Sequence, residues 1–214
     1  MDRPAIVLAY HDGLGVLDDD ALDRLDELGR VLDRTPLDRW DDPRADALLA
    51  EAEIIVAHWG CPTIDENMLA RAPKLRMLAY AAGTVKWITT DATWERDLII
   101  TSGADANAEP VAEFTVATIL YANKGVFSAV DRERGRPAWD RPAAAAAIGN
   151  WAKTVGIVSA SRVGRRVAEL LRPYEGVAVE LYDPYVDANE IGRLGATRVA
   201  DLTDLCRRAD VLSI

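Results

Sequence analysis

Four residues in the last third of the chain have the spacing that is typical of a βαβ unit that binds a dinucleotide. Ser159, Ser161 and Gly164 lie at the glycine positions of the GxGxxG fingerprint, which makes a tight turn, admits a pyrophosphate and lets a helix pack on a strand. Asp183 follows Gly164 at about the 20-residue distance expected of the acid that binds an adenosine ribose. The pattern predicts a cofactor site made of Ser159, Ala160, Ser161, Arg162, Val163, Gly164 and Asp183.

The surrounding sequence predicts the elements that must position these residues. Residues 154–159 form an apolar strand, and the helix after the turn has one apolar face, made of Val163, Val167, Leu170 and Leu171. A second apolar strand ends at Asp183. Arg165 and Arg166 lie on the first helical turn, where they could assist a phosphate, although exposed arginines there are more often solvated. Because serine replaces two glycines, a plain structural βαβ unit is the alternative to a dinucleotide site.

The composition argues against two classes of function. The chain has 214 residues, with 35 Asp and Glu against 25 Lys and Arg, and a net charge of −10. Because it has no basic run, we expect neither a nucleic-acid partner nor an anionic membrane surface. The hydrophobic share of 50% allows the core of one large or two small domains. No signal-peptide layout and no apolar stretch of about 18 residues is present, so we expect a cytoplasmic protein without a membrane partner.

The cysteines and histidines do not predict a metal site. Cys61 and Cys206 lie far apart and in no CxxC or metal-ligand spacing, so we expect two reduced thiols and no metal. His11 and His58, the only histidines, lie at the ends of predicted strands. They face a cleft or, on the alternative interpretation, form local hydrogen bonds.

Strand-like and helix-like segments alternate along the chain, which predicts an α/β fold with parallel strands and helices on both faces of the sheet. The first predicted strands cover residues 5–10, 30–33, 53–59, 75–81 and 98–101. A helix beginning at Asn107, with Pro110 in its first turn, is apolar on most of its circumference, so we expect it to be buried on nearly every side. Residues 125–150 predict a helix, a loop and a low-complexity connector that includes Pro142 and the alanine run 143–147.

The pattern continues beyond Asp183. It predicts helices at 187–194 and 202–209 and strands at 197–200 and 210–214. The chain therefore stops on the fourth strand of a type of sheet that normally has six. We expect a truncated, Rossmann-type doubly wound sheet.

Two segments carry a resemblance to the D-isomer-specific 2-hydroxyacid dehydrogenases. They are residues 75–120, which begin LRMLAYAAGTVKW, and residues 153–185, which begin KTVGIVSASRVGRR and end LYDPY. The resemblance implies a flavodoxin-like substrate lobe in residues 1–104, followed in residues 105–214 by an interdomain helix, a connector and the first half of a Rossmann domain that binds NAD. It also implies hydride transfer between NAD and a 2-hydroxy or 2-oxo acid, and a homodimer in the full-length protein.

The resemblance assigns further residues. The family's loop after the fourth strand holds a substrate carboxylate on backbone N–H groups, which here would belong to Ala82, Gly83, Thr84 and Val85. The family usually has an acidic or amide residue a step later, where this chain has Lys86 and Trp87. An aspartate at position 183 favours NAD over NADP, because its charge repels a 2′-phosphate. The family's catalytic arginine, glutamate and histidine lie beyond residue 214, so no catalytic residue is assigned and we expect this chain alone to be an inactive fragment.

Two alternatives remain at this point. The chain could be a catalytically inactive Rossmann-like protein with a binding or regulatory role, in which the lost glycines reflect lost use of a dinucleotide. It could also be an unrelated Rossmann enzyme that binds another ligand containing adenosine.

Overall fold

The computed structural model describes residues 3–136 and 148–214, in two units, Met1–Asn107 and Ala108–Ile214, each built on its own parallel sheet. This architecture confirms the predicted α/β fold class. The roles predicted for the two parts of the chain, substrate binding and nucleotide binding, stay predictions.

Five parallel strands form the sheet of the first unit: β1 (Ala5–Ala9), β2 (Arg30–Val31), β3 (Ile54–Ala57), β4 (Met77–Tyr80) and β5 (Ile99–Ser102). Their order is β2-β1-β3-β4-β5, which is the flavodoxin-like order. The α-helices of this unit are α1 (Asp19–Leu28), α2 (Ala45–Glu51), α3 (Glu66–Arg71) and α4 (Asp91–Glu95). From its residue type, Asp65 is predicted to cap a helix over residues 65–72, and the structure confirms this cap of α3, because the Asp65 side chain accepts a hydrogen bond from Met68 N at 2.8 Å.

Alternate side chains of this sheet enter two different hydrophobic clusters. Val7 and Ile55 belong to a cluster that also contains Leu49 of α2 and Met68 of α3. Their strand neighbours belong to a second cluster with Leu22 of α1, made of Ile6, Leu8, Tyr10, Leu22 and Val56. Because successive strand residues point to opposite faces, both faces of the sheet are covered, as predicted from the alternation of strands and helices along the chain.

The second unit has a four-stranded parallel sheet in the order β8-β7-β6-β9. Its strands are β6 (Lys153–Val158), β7 (Val177–Tyr182), β8 (Thr197–Arg198) and β9 (Val211–Ser213). Its helices include α6 (Val126–Glu133), α7 (Arg162–Leu171), α8 (Ala188–Arg193) and α9 (Leu202–Arg208). In chain order these strands are arranged 3-2-1-4, which is how a doubly wound dinucleotide fold begins.

Helix α5 (Ala104–Lys124) differs from its prediction in two respects. It begins before Asn107, and Pro110 therefore lies inside the helix and not in its first turn. The expectation that it is buried on nearly every side is wrong. Val111, Phe114 and Tyr121 are 43%, 73% and 56% exposed, whereas the buried stripe is Ala108, Ala112, Val116 and Ile119. Apolar content predicted the helix but not which of its faces is covered.

Two further observations concern the segment after Gly125 and the apolar helices. The helix predicted after Gly125 is α6, but Pro142 and the alanine run 143–147 lie outside the described residues. Among the residues that are described, no helix is long and apolar enough to cross a bilayer.

Candidate functional site

The turn between β6 and α7 keeps the geometry of the fingerprint although serine occupies its first position. Ser159 N donates a hydrogen bond to Tyr182 O at 2.8 Å, and Ser159 has a φ of +84°. This left-handed conformation is one that glycine adopts without cost. A Cβ placed on Gly164 would lie 2.1 Å from Ser159 O, so the third position requires glycine for α7 to pack on the end of β6.

Ser161, at the second position, is the N-cap of α7. Its hydroxyl accepts a hydrogen bond from Gly164 N at 3.2 Å. Serine is a good N-cap because it satisfies an N–H group that has no partner within the helix. The N-terminus of this ten-residue helix carries partial positive charge, which favours an anion such as a pyrophosphate.

Asp183 follows the last residue of β7 and is only 6% exposed. Its Oδ2 accepts hydrogen bonds from Ala160 N at 2.8 Å and Ser159 Oγ at 3.3 Å, and its Oδ1 accepts one from Tyr185 N at 2.8 Å. Burial raises the pKa of Asp183, but hydrogen bonds from Tyr185 N, Ala160 N, Ser159 Oγ and Val186 N outweigh burial and hold the pKa below its ordinary value. The carboxylate is therefore ionised and joins the end of β7 to the turn after β6.

The two arginines after the turn have carboxylate partners. Arg165 Nε donates to Ala160 O at 2.7 Å, and its Nη1 lies 2.6 Å from Glu190 Oε1. Arg166 pairs with Glu109 at 2.9 Å and with Glu169 at 3.2 Å. The hypothesis that they assist a phosphate is not supported by these contacts, because nearby carboxylates already balance both charges. Sequence reasoning missed that Arg165 holds the Ala160 carbonyl. It also missed the ion pair with Glu190, because that residue is distant in sequence from Arg165.

The predicted carboxylate-binding loop follows β4 in the first unit. Ala82 is buried, Gly83 and Val85 are partly buried, and Thr84 is exposed. Thr84 Oγ1 accepts a hydrogen bond from Lys86 N at 3.3 Å, at the start of the 3₁₀ helix Val85–Trp87. Within the described part of the chain, no acceptor is assigned to the N–H groups of residues 83–85.

Ser102, at the end of β5, holds this loop in place. Its hydroxyl lies within hydrogen-bond distance of Ala82 O, at 3.3 Å, and of Gly83 O. Ser102 Oγ also accepts a hydrogen bond from Ala104 N at 3.2 Å. Sequence reasoning did not identify Ser102, although a polar residue ending the strand beside β4 was a usable signal, because parallel strands end at the same edge of a sheet.

The structure shows the immediate surroundings of His58, His11 and Cys61. His58 Nδ1 accepts a hydrogen bond from Trp59 N at 2.7 Å, which agrees with the local-bonding interpretation, and burial lowers the pKa of His58. His11 Nδ1 lies 3.8 Å from Asp38 Oδ2. Burial raises the pKa of Cys61 to about 12, so this thiol is protonated at neutral pH. Among the described residues, no group of His, Cys, Asp and Glu could hold a metal ion.

Comparison with known proteins gives a consistent result. Residues 116–214 match the family described as D-isomer specific 2-hydroxyacid dehydrogenase, NAD binding domain. D-3-phosphoglycerate dehydrogenase of Mycobacterium tuberculosis is 32% identical over 180 residues, covering 82% of this chain and 33% of that protein. Glyoxylate reductase of Aeropyrum pernix is 29% identical over 197 residues, covering 89% of this chain and 58% of the relative. The chain thus spans a third of the length of the mycobacterial relative.

A solved structure agrees with the fold. The D-lactate dehydrogenase of Aquifex aeolicus, crystallised with NAD and lactic acid, superposes with a TM-score of 0.66 at 20% identity, over 97% of this chain and 59% of that one. The Rossmann-type assignment is thereby confirmed, and the description of the matching family confirms NAD as the predicted cofactor. The individual site residues stay predictions.

Proposed function

This chain belongs to the D-isomer-specific 2-hydroxyacid dehydrogenase family, and we propose that its second unit holds NAD for hydride transfer to or from a 2-hydroxy or 2-oxo acid. One observation carries the proposal. The ionised Asp183 is hydrogen-bonded to the turn that precedes the N-terminus of α7, so a negative and a positive binding element lie side by side. This is the charge arrangement that an adenosine ribose and a pyrophosphate require.

The residues of the second unit fit such a cofactor. Gly164 lets α7 begin close to the end of β6, which brings its N-terminal N–H groups to the sheet edge. Ser161 caps α7 with its side chain, and the helix dipole favours the pyrophosphate. The Asp183 carboxylate can accept hydrogen bonds from ribose hydroxyls, and its negative charge repels a 2′-phosphate. We therefore expect NAD to bind more tightly than NADP. When bound, NAD supplies the hydride acceptor or donor.

For the first unit we propose that residues 82–85 bind the carboxylate of the acid. This proposal is supported by the loop geometry: in the described part of the chain, the N–H groups of Gly83, Thr84 and Val85 have no protein acceptor. Successive N–H groups in a turn form a concave anion site. Ser102 fixes the loop from the carbonyl side. The substrate we propose is therefore a small 2-hydroxy or 2-oxo acid held by its carboxylate.

We further propose a homodimer, supported by the exposed stripe of α5. Phe114 is 73% exposed and shares that stripe with Val111 and Tyr121, and exposed apolar patches mark interaction surfaces. In analytical ultracentrifugation we expect the full-length protein to be a dimer that Phe114→Asp converts to a monomer. Leu28→Asp is the matched control, because Leu28 is equally exposed at 73% on α1. A full-length protein that is monomeric without substitution would contradict this part of the proposal.

Calorimetric titration of the chain with NAD and NADP tests the cofactor proposal. Asp183→Asn removes the charge with little change of shape, and we expect it to weaken NAD binding and narrow the preference for NAD over NADP. Asp201→Asn is the control, since Asp201 caps α9 and asparagine is an equally good N-cap. An Asp183→Asn variant with unchanged preference would remove Asp183 from the site. Absence of NAD binding by the unmodified chain would favour the inactive alternative.

A further inference from the structure

Hydrogen-bond donors of the protein already occupy most of the Asp183 carboxylate. A carboxylate offers about four acceptor positions on its two oxygens. Two are taken by the backbone N–H groups of Ala160 and Tyr185, each at 2.8 Å. A third is taken by Ser159 Oγ at 3.3 Å. Because an adenosine ribose presents two adjacent hydroxyls, a donor must be displaced before both hydroxyls can bind this acid.

Only one of these donors can leave without unfolding part of the unit. The N–H groups of Ala160 and Tyr185 belong to the turn and to the chain leaving β7, so their positions are fixed by the backbone. The Ser159 hydroxyl turns about a single side-chain bond, and its contact with Asp183 is the longest of the three. It is the donor that a ribose hydroxyl can replace.

We propose that the Ser159 hydroxyl occupies the acceptor position on Asp183 that an adenosine ribose needs, and so lowers the affinity of this chain for dinucleotides. The inference rests on the proposed NAD function and deepens it. Serine has replaced the first glycine of the fingerprint while the backbone has kept its left-handed φ of +84°. The side chain added there reaches the one acidic group that the ligand must contact. Ser159 is thus an affinity-determining residue of the site.

Substitutions at position 159 separate the hydroxyl from the backbone conformation. Ser159→Ala removes the hydroxyl and keeps a Cβ at positive φ, whereas Ser159→Gly removes both the hydroxyl and the Cβ. We expect Ser159→Ala to bind ADP about tenfold more tightly than the unmodified chain, because the ribose no longer has to displace a hydrogen bond to a charged carboxylate, and a contact of 3.3 Å lies at the weak end of that class. Ser159→Gly should gain at least as much. Ser128→Ala is the control, because Ser128 lies on α6 beside the start of β9, at the edge of the sheet opposite the site.

Two ligands and one ligand-free readout complete the experiment. Calorimetry with 2′,3′-dideoxy-ADP should show no gain for Ser159→Ala, because this ligand has no ribose hydroxyl to offer Asp183. Without ligand, the pKa of Asp183 measured by NMR should rise in Ser159→Ala, since a donor to the charged carboxylate is lost. Thermal denaturation of each variant verifies that it is folded.

The outcomes separate the inference from the proposed function. Weaker ADP binding by Ser159→Ala would show that the hydroxyl positions Asp183 for the ligand, and it would overturn the inference alone. An equal gain with dideoxy-ADP, or an unchanged Asp183 pKa, would do the same. Absence of adenine nucleotide binding in the unmodified chain and in every variant would overturn the proposed function as well.

Discussion

Replacing Gly164 by alanine should destabilise the second unit. The added Cβ would lie 2.1 Å from Ser159 O and 3.2 Å from Ile157 Cγ2. A favourable C···O contact is about 3.3–3.6 Å, so an atom must move by about 1 Å. The carbonyl belongs to the backbone of the turn that Asp183 and Arg165 hold, and it cannot rotate away as a flexible side chain would.

The magnitude follows from two opposing effects. Overpacking costs about 1–3 kcal/mol, and we take the upper end because the clash is with backbone. Alanine in a helix is favoured over glycine by up to about 1 kcal/mol. The free energy of unfolding should therefore fall by about 2 kcal/mol.

Gly192→Ala in α8 is the matched control for Gly164→Ala. A Cβ at Gly192 meets nothing within 4 Å, so only the helix preference acts, and we expect stability to rise by about 0.4–1 kcal/mol. Urea denaturation followed by circular dichroism, with hydrogen exchange of the β6 amides to report on the second unit, measures both changes. Equal stability of the two alanine variants would refute the packing argument.

Three further predictions concern stability. The pKa of Asp183 is lowered in the folded chain. The stability that the Asp183 carboxylate gives to the fold should therefore be complete above the ordinary pKa of about 3.9 and be lost as the pH falls through the lower native pKa. Over that range, the difference in urea midpoint between the unmodified chain and Asp183→Asn should shrink. Lys153 Nζ lies 3.0 Å from Asp210 Oδ1, and the Lys153 side chain is 9% exposed whereas that of Asp210 is 32% exposed. Because the pair is only partly buried, Lys153→Met should lower the free energy of unfolding by about 1–3 kcal/mol in thermal denaturation, and an unchanged melting temperature would count against the ion pair. Asp65→Ala should cost about 1 kcal/mol through loss of the α3 cap, whereas Asp65→Asn should retain most of it in the same measurement.

The sequence predicted those features that depend on local pattern. Alternation of apolar strands and amphipathic helices placed β6 within one residue of its observed bounds and predicted that β7 ends at about Asp183, and the capping role of Asp65 followed from its residue type. Helix α5 was a different case, because its apolar residues show only that it is a helix. Whether Phe114 is covered depends on what packs against it, which no residue of the helix encodes.

The chemistry of the candidate site was only partly predictable for the same reason. The spacing of Ser159, Gly164 and Asp183 indicated which residues would be neighbours. It could not show that the Ser159 hydroxyl reaches Asp183, nor that Arg165 is paired with Glu190, since both contacts arise from the packing of distant segments. Spacing predicts proximity, whereas the number of donors already bound to an acceptor is a property of the folded turn.

Hydrogen–deuterium exchange of the chain, with and without saturating NAD, tests the central claim most directly. If NAD lies across the N-terminus of α7 with its adenosine ribose at Asp183, exchange should slow in residues 159–164 and 183–186. Peptides from the first unit far from the 82–85 loop, such as those of α1, should exchange at the same rate in both samples. Binding of NAD that leaves residues 159–164 and 183–186 unprotected, or no change anywhere at saturating NAD, would contradict the account.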